Sequence, residues 1–503
     1  MTDAQTTDLT DATDALRSSA PRRWTFFGVV SLGLLMIGLD NSILYTALPA
    51  LSEQLHATSL QQLWIINAYA LMLAGLLLGT GTLGDKIGHR RMFVIGLWIF
   101  GIASLTAAFA PGAWELVAAR AFLGLGASIM MPATLALIRL TFEDEIERNT
   151  AIGIWGSIAV VGAAAGPTVG GLLLEHFWWG SVFLVNVPIV IIALVLTAFL
   201  APPNVANPAK QWDFLSSLYA LVTLASLVLV IKSVASSHLN ATLIGGALAA
   251  CLSGATLFTR RQNKLEEPLL TFDIFRSPIF TGGVVAAAGA MFGMSGLEMT
   301  TTQKLQLVDQ YSPLHAGLII SIIALAALPM SALGGANLHR WGFLPIISGG
   351  FLFMAAGIAC VVWGGHRDVF AAYLAGLLLT GVGAGLVMSV SSTAIIGAAP
   401  ASRSGMAAGV EEVSYEFGTL LSIAVTGSVL PLLFTSSLPD EAQDLGVEAL
   451  RVPELGTAPA AAYTNAYLTT AAGLAVVMLL FAAVTGWCFR HNPTSGGADA
   501  TRE

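Results

Sequence analysis

Long apolar runs dominate the pattern of hydrophobic and polar positions along this chain. A membrane-spanning helix needs about 20 predominantly apolar residues, and the short gaps between the runs leave no room for a soluble domain. The fourteen runs lie near residues 25–48, 61–80, 92–110, 115–138, 150–174, 181–201, 214–234, 241–259, 278–301, 313–336, 343–363, 368–395, 404–432 and 466–489. The pattern therefore predicts an all-α integral membrane protein with fourteen transmembrane helices.

The composition agrees with this prediction and excludes several kinds of partner. Of 503 residues, 55% are hydrophobic and 10% are charged, and the mean hydropathy is +0.77, which is too apolar for a water-soluble domain. The net charge of −8 reflects acids in the N-terminal tail and in two short segments, so we expect no nucleic-acid partner. The scattered Cys251, Cys360 and Cys488 predict packing residues, and we expect no metal and no cofactor.

The basic residues predict the orientation of the chain, because Lys and Arg near helix ends stay on the cytoplasmic side. Most of them fall inside when the N-terminus is cytoplasmic, whereas Lys232, Lys304, Arg367 and Arg451 fall outside. Both termini are then cytoplasmic, with 1–23 as a disordered tail and 490–503 as a second tail. No short apolar segment of a signal peptide precedes the first run, so we expect that run to remain as the first helix.

An internal echo divides the chain into two halves. The loop "GTLGDKIGHRRMF" (81–93) follows the second run and "GANLHRWGF" (335–343) follows the tenth, with Gly335, Arg340 and Gly342 at the spacing of Gly81, Lys86 and Gly88. Paired halves are typical of transporters that rock around a central site, although a chance match of three positions is the alternative. The echo predicts six-helix bundles at 24–201 and 278–489, and two inserted helices at 214–259.

The loop 81–93 resembles the signature loop of the major facilitator superfamily through Gly81, Leu83, Asp85, Gly88 and Arg90. The resemblance implies a conformational switch in which the Asp85 carboxylate breaks and remakes contacts with basic groups. A basic loop that only fixes topology is the simpler interpretation of the same residues.

Two further motifs resemble those of the same superfamily. Arg120, followed by two glycines, resembles its proton-transfer motif, and an arginine inside a span normally pairs with a carboxylate or carbonyl; a snorkelling, lipid-facing Arg120 is the alternative. The stretch "GAAAGPTVGG" resembles the antiporter motif of exporters and implies a hinge, while plain glycine-mediated helix packing is the alternative. Its matching residues are Gly162, Gly166, Pro167, Gly170 and Gly171.

Stretches throughout the chain, including "LDNSILYTALP" (39–49) and "RAFLGLGASIMMPATLALIR" (120–139), resemble the fourteen-helix drug:proton antiporters of that superfamily, of the QacA and SmvA type. The resemblance implies a major facilitator fold, a monomer, the bacterial cytoplasmic (inner) membrane and export of quaternary ammonium compounds. The chain departs from the family pattern at Tyr45, where asparagine is frequent, and at neutral Asn67, where the staphylococcal pump has an acid.

Five carboxylates lie inside predicted spans: Asp40, Glu298, Glu411, Glu412 and Glu416. At a rise of 1.5 Å per residue from Arg403, Glu412 is roughly 13 Å deep and Glu416 roughly 20 Å deep. A carboxylate there is costly when ionised, so a proton and a cationic drug compete for it. We expect Asp40 and Glu416 to carry cation binding or proton coupling, with the other three as weaker candidates; structural pairing of at least one with Arg120 is the alternative.

Several aromatic side chains are candidates for cation–π contact with cargo, although packing or lipid-facing roles are the alternative for each. They are Tyr45, Trp64, Tyr69, Trp155 and Tyr415. No phosphate-binding loop and no hydrolase motif occurs, so we expect no enzyme. The sequence predicts a proton-coupled exporter of lipophilic cations; an exporter of an endogenous amino acid, siderophore or antibiotic, and a channel, are the alternatives.

Overall fold

The computed structural model describes residues 20–209, 212–234, 240–266, 268–399 and 403–490. Its α-helices are α1 (Ala20–Gln54), α2 (Ser59–Ile87), α3 (His89–Ala108), α4 (Ala113–Thr141), α5 (Glu145–His176), α6 (Ser181–Leu184), α7 (Asn186–Leu200), α8 (Phe214–Val234), α9 (Ala241–Gln262), α10 (Pro278–Leu307), α11 (Pro313–Trp341), α12 (Phe343–Arg367), α13 (Phe370–Ala398), α14 (Ser404–Ser436) and α15 (Ala458–Phe489). Within these residues the fold is entirely helical.

The helices correspond to the predicted apolar runs with small differences at their ends. Thirteen helical segments of the described chain are long and apolar enough to cross a membrane, with Ser181–Leu200 counted as one, and the predicted span 150–174 falls on α5, a helix of 32 residues. The sixth span is divided into α6 and α7. The first helix begins at Ala20; the predicted tails fall largely on residues 1–19 and 491–503, which lie outside the described part.

The segment between α14 and α15 contains two 3₁₀ helices, Asp440–Arg451 and Pro453–Leu455. Leu438, Ala442 and Ala449 of this segment are buried in the hydrophobic core of the last six helices. The segment therefore belongs to the packed fold.

Helix pairing in the N-terminal half (α1–α7) recurs in the C-terminal half (α10–α15). In the first half α1 packs against α5, and α4 packs against both α2 and α3; in the second half α10 packs against α14, and α13 packs against both α11 and α12. The buried hydrophobic side chains form two large clusters. One consists mainly of residues from the N-terminal half, and the other consists of residues from the C-terminal half. The halves meet where α5 contacts α11 and where α2 contacts α14.

The turns at the two echoing loops share one backbone feature, a glycine with a positive φ angle. Gly88 ends α2 and begins α3 with φ of 99°, and Gly342 ends α11 and begins α12 with φ of 76°. Residues other than glycine rarely adopt this region. At Gly88 the space is also filled, because Asn204, from the segment after α7, covers the position where a side chain would begin.

The pair α8 and α9 packs beside the seam between the halves, since α8 contacts both α2 and α14. The Arg261 guanidinium donates hydrogen bonds to both Asp213 oxygens, from Nε at 3.0 and 2.9 Å. Burial acts to raise the pKa of Asp213, but hydrogen bonds from Arg261 and Ser216 outweigh it and hold that pKa below its ordinary value. This ion pair joins the base of α8 to the end of α9.

Replacing Gly88 by alanine tests the backbone of the first turn. The φ angle of 99° and overlap with Asn204 should together lower the free energy of unfolding by about 1–3 kcal/mol. The apparent melting temperature of the purified protein in detergent measures the effect. Gly349→Ala is the matched control, because nothing lies within 4 Å of an added methyl group there; equal melting temperatures for the two variants would contradict this account.

Candidate functional site

A buried ion pair joins α1 and α4 in the N-terminal half. The Arg120 guanidinium donates from Nη1 to Oδ2 of Asp40, and both side chains are 0% exposed. The side-chain amide of Asn186, from α7, donates to the other Asp40 oxygen at 3.0 Å and contacts Ser104 Oγ at 3.3 Å. Both carboxylate oxygens of Asp40 are therefore occupied, and Asp40 is the acid that pairs with Arg120.

The remainder of the Arg120 guanidinium is only partly satisfied. Its Nε donates to the Ile65 carbonyl of α2 at 3.1 Å, and its central carbon lies 4.5 Å from the centre of the Tyr69 ring. Its Nη2 is buried and has no hydrogen-bond partner among the described residues. A guanidinium has five N–H donors, so Arg120 retains donor capacity toward the centre of the molecule.

The three carboxylates of α14 have different surroundings. Glu411 is buried and accepts a hydrogen bond from the Tyr415 hydroxyl at 3.0 Å; that hydroxyl also lies 3.3 Å from the Met388 carbonyl of α13. Glu412 and Glu416 are half-buried on another face, as their four-residue spacing predicts. The three acids therefore do not face one neighbour, and Glu411 is bonded within its own half.

Glu416 lies at the meeting point of the two halves. It lies within electrostatic reach of Arg120, and also of Tyr45 and Tyr69. Its Oε2 is buried and has no hydrogen-bond partner in the described chain. Glu416 thus has an unpaired buried carboxylate oxygen, and Arg120 has an unpaired buried donor.

Glu298, from α10, is the second buried carboxylate beside α1. It is 6% exposed and interacts electrostatically with Tyr45. Neither Glu298, Glu412 nor Glu416 makes a side-chain hydrogen bond or ion pair with another described residue. An ionised carboxylate in hydrocarbon requires a counter-charge, a proton or water, so these three groups can accept a proton or a cation.

The predicted aromatic residues divide between this centre and the packed core. Tyr45 and Tyr69 are buried beside the charges, whereas Trp64 packs at the edge of the first core cluster. The Trp155 indole donates to Thr134 Oγ1 at 3.0 Å. The structure therefore gathers Asp40, Arg120, Tyr45, Tyr69, Glu298 and Glu416 around one centre.

The signature loop lies at the α2–α3 turn, outside this centre. The Asp85 carboxylate is hydrogen-bonded to His89 Nε2 at 3.0 Å, and the Arg90 guanidinium donates to the Pro202 carbonyl at 3.4 Å. Asp85 and Arg90 are thus not each other's partners here.

The glycine motif of α5 lies on two helix interfaces. A Cβ atom at Gly162 would lie 2.8 Å from the Leu35 carbonyl oxygen of α1, and one at Gly166 would lie 3.0 Å from Ile43 N. On another face, the Pro167 carbonyl lies against Gly317 of α11. The motif therefore permits close packing of α5 on α1 and, across the seam, on α11.

Sequence reasoning missed the role of Asn186, and it named Asn67 only as a departure from the family pattern. Asn186 orients Asp40. The sequence feature that could have identified it is a lone asparagine in the apolar stretch "FLVNVP". Asn67 is fully buried, and neither end of its side-chain amide has a partner among the described residues. Such asparagines inside apolar runs are costly unless they bond across helices, which makes them detectable in principle.

The family model of the Major Facilitator Superfamily matches residues 30–423. The chain belongs to the major facilitator superfamily. This transporter is 35% identical to the multidrug efflux pump LfrA of Mycolicibacterium smegmatis, over 96% of the chain and 99% of that protein. It is 36% identical to the methyl viologen resistance protein SmvA of Salmonella typhimurium, over 83% and 84% of the two chains.

The fold of the transporter is also found among solved structures. A bacterial homologue of the human lysosomal transporter Spinster, in an inward-facing and unoccupied conformation, superposes with a TM-score of 0.68 at 15% identity, covering 94% of this chain and 98% of that one. The two relatives named above, LfrA and SmvA, are drug efflux proteins of the membrane. They are transporters rather than enzymes.

Replacing Arg120 by methionine tests the buried ion pair. Loss of the guanidinium leaves the Asp40 carboxylate uncompensated and should destabilise the protein by about 3–5 kcal/mol. The double variant Asp40→Asn/Arg120→Met should recover much of this stability, because no lone charge remains. Thermal unfolding in detergent compares the stability of the wild type, Arg120→Met and the double variant. A double variant no more stable than Arg120→Met would contradict the pairing.

Replacing Gly166 by leucine tests the α1–α5 contact. The larger side chain must separate the two helix backbones, which should cost about 1–3 kcal/mol, read as a lower melting temperature. Gly245→Leu on α9 is the control, because open space surrounds that position. An unchanged melting temperature for Gly166→Leu would show that the contact does not hold the helices together.

Proposed function

We propose that this transporter is a proton-coupled multidrug efflux antiporter that exports lipophilic cations, such as quaternary ammonium antiseptics, dyes and biguanides, by alternating access. The observation that carries the proposal is the pair of unmatched buried atoms at the seam. Oε2 of Glu416 and Nη2 of Arg120 both lack partners within the described residues, and the two groups interact electrostatically.

The proposed architecture has fourteen transmembrane helices, with both termini in the cytoplasm and the chain working as a monomer. The bundles span 24–201 and 278–489, α8 and α9 are the inserted pair, and α5 supplies the span that completes the count. Recurrence of the same helix pairings in the two halves supports this division, because structural repeats of this kind underlie many transporter folds.

Several polar contacts join the two halves on one side of the seam. Hydrogen bonds across the seam join Gln306 Nε2 to the Thr46 carbonyl at 2.9 Å and Thr168 to Ser321 at 2.8 Å. An ion pair of 2.7 Å joins Arg451 to Glu53. All three contacts lie toward the end of the bundle where α1, α5 and α10 terminate, which is the outer side in the proposed orientation.

Exchange follows from competition for carboxylates. A proton neutralises Glu416 and makes its burial inexpensive, whereas the ionised group attracts a cation; one carboxylate cannot satisfy both, so loading either ligand favours release of the other. Asp40 would join the cycle when its protonation releases Arg120 toward Glu416. Glu298 and Glu412 are further acceptors beside the same centre, and Glu411 contributes least because Tyr415 already bonds it.

The charge balance of the centre supports a cationic cargo. Three carboxylates, those of Asp40, Glu298 and Glu416, lie around one centre with a single guanidinium, and Tyr45 and Tyr69 offer aromatic faces to a delocalised cation. The name of one relative agrees with this choice, because SmvA is a methyl viologen resistance protein and methyl viologen is an organic dication. A transmembrane potential supplies about 2.3 kcal/mol per charge and 100 mV, to which a pH gradient adds.

Replacing Glu416 by glutamine tests the proposal in proteoliposomes that contain the whole chain. The amide cannot exchange a proton, so ethidium or chlorhexidine transport driven by a pH gradient should fall about tenfold or more. Asp40→Asn should act in the same direction. Cargo binding, measured by fluorescence at a series of fixed pH values, should lose most of its pH dependence in the Glu416 variant.

Glu175→Gln is the matched control, because Glu175 is exposed at the end of α5 and undergoes the same chemical change. Full gradient-driven transport by the double variant Asp40→Asn/Glu416→Gln would overturn the assignment. Transport confined to one endogenous product, with no response to unrelated cations, would favour the alternative exporter.

A further inference from the structure

A cavity of about 400 Å³ opens beside the first turn of α3, away from the central carboxylates. It is lined by Arg90, Arg91, Val94, Ile95 and Asn204. Two guanidinium groups and an amide thus share a cavity with two aliphatic side chains, a combination that suits an anion attached to an apolar tail.

The polar wall of the cavity is held in place before any ligand binds. Asn204 Nδ2 donates to the Ile87 carbonyl at 2.9 Å, and Asn204 Oδ1 accepts from the Arg91 backbone N–H at 3.1 Å. The segment is fixed again where Asn207 N donates to the Asp85 carbonyl at 2.9 Å. Since only glycine fits beneath Asn204 at position 88, the turn and the wall form one unit.

The two guanidinium groups of the cavity have few partners among the described residues. No hydrogen bond or ion pair of the described residues engages the Arg91 guanidinium, and Arg90 makes a single 3.4 Å contact with Pro202 O. The nearby carboxylate of Asp85 is already bonded to His89. Arginine guanidinium groups suit phosphate oxygens, which they can bind with two parallel hydrogen bonds.

An exposed apolar stripe leads away from the cavity along α3. It consists of Ile95, Trp98, Ile102 and Leu105, which are 41%, 57%, 58% and 46% exposed. From Ile95 to Leu105 the helix rises about 15 Å. That length equals about half of a hydrocarbon core of ~30 Å, so the stripe crosses one leaflet.

We propose that the cavity binds the phosphate of an anionic phospholipid, with Arg91 and Arg90 at the phosphate, Asn204 beside the headgroup and an acyl chain along the α3 stripe. The lipid would lie in the leaflet on the α3 N-terminal side and would contact the α2–α3 turn. A bound lipid would therefore stabilise the position of that turn relative to the segment after α7. This site does not depend on the proposed cargo or on proton coupling.

Trp98 provides a local reporter for the test. The purified full-length protein in a nonionic detergent is titrated with phosphatidylglycerol or phosphatidylcholine whose acyl chains carry bromine, and tryptophan fluorescence is recorded. The difference between the wild type and Trp98→Phe isolates quenching at the stripe. We expect phosphatidylglycerol to quench this component at several-fold lower concentration than phosphatidylcholine.

Arg91→Gln should weaken phosphatidylglycerol binding about fivefold, because a basic residue near the membrane surface contributes an appreciable share of anionic-lipid affinity. Arg260→Gln, an exposed arginine at the end of α9, is the control for loss of charge and should leave the titration unchanged. Quenching in Arg91→Gln by phosphatidylcholine should match that of the wild type, which shows that the variant is folded.

Glycerol 1-phosphate and inorganic phosphate separate a lipid site from a site for a soluble anion. Neither should displace the brominated lipid at millimolar concentration. Displacement by either would overturn the lipid assignment, as would equal quenching by the two lipids or equal phosphatidylglycerol binding by Arg91→Gln and the wild type.

Discussion

The cost of holding charge inside hydrocarbon is the constraint on which the centre of this transporter depends. Asp40 and Arg120 are tolerated there because each is the counter-ion of the other, and Asn186 completes the shell of Asp40. The ion pair also joins α1 to α4, since its two members come from different helices. Glu298, Glu412 and Glu416 have no such partner in the described chain, so their charge state depends on what enters from outside the fold. Paired and unpaired acids therefore lie in the same membrane-embedded region.

The second constraint is how closely helices approach at the seam between the halves. Hydrophobic burial gives little preference among partners within a lipid bilayer, so helix contacts rely on shape and on small residues. The face of α5 that carries Gly162 and Gly166 meets α1 within the N-terminal half, while the Pro167 carbonyl meets Gly317 of the C-terminal half. One helix thus provides a contact within its own half and a contact across the seam, on two faces.

Charge at the membrane surface is organised differently from charge in the centre. Near the water, ion pairs such as Asp213 with Arg261 connect consecutive helices at small desolvation cost. Arg90 and Arg91 instead face a cavity whose neighbouring acid, Asp85, is already bonded to His89. The same turn that resembles a family switch therefore offers unpaired positive charge to the lipid side, which links the headgroup region to the segment after α7.

The sequence by itself determined the helical fold and nearly all of the spans, and it located the acids inside those spans, because apolar length and isolated charges are local properties of a chain. It also indicated the family, through motifs at fixed spacing. Only the tertiary structure decided which acid pairs with Arg120, that Asn186 and Asn204 orient their neighbours, and that Glu411 faces away from Glu416. These are contacts between residues up to 146 positions apart, and helix periodicity fixes a side chain's direction but not what lies opposite it.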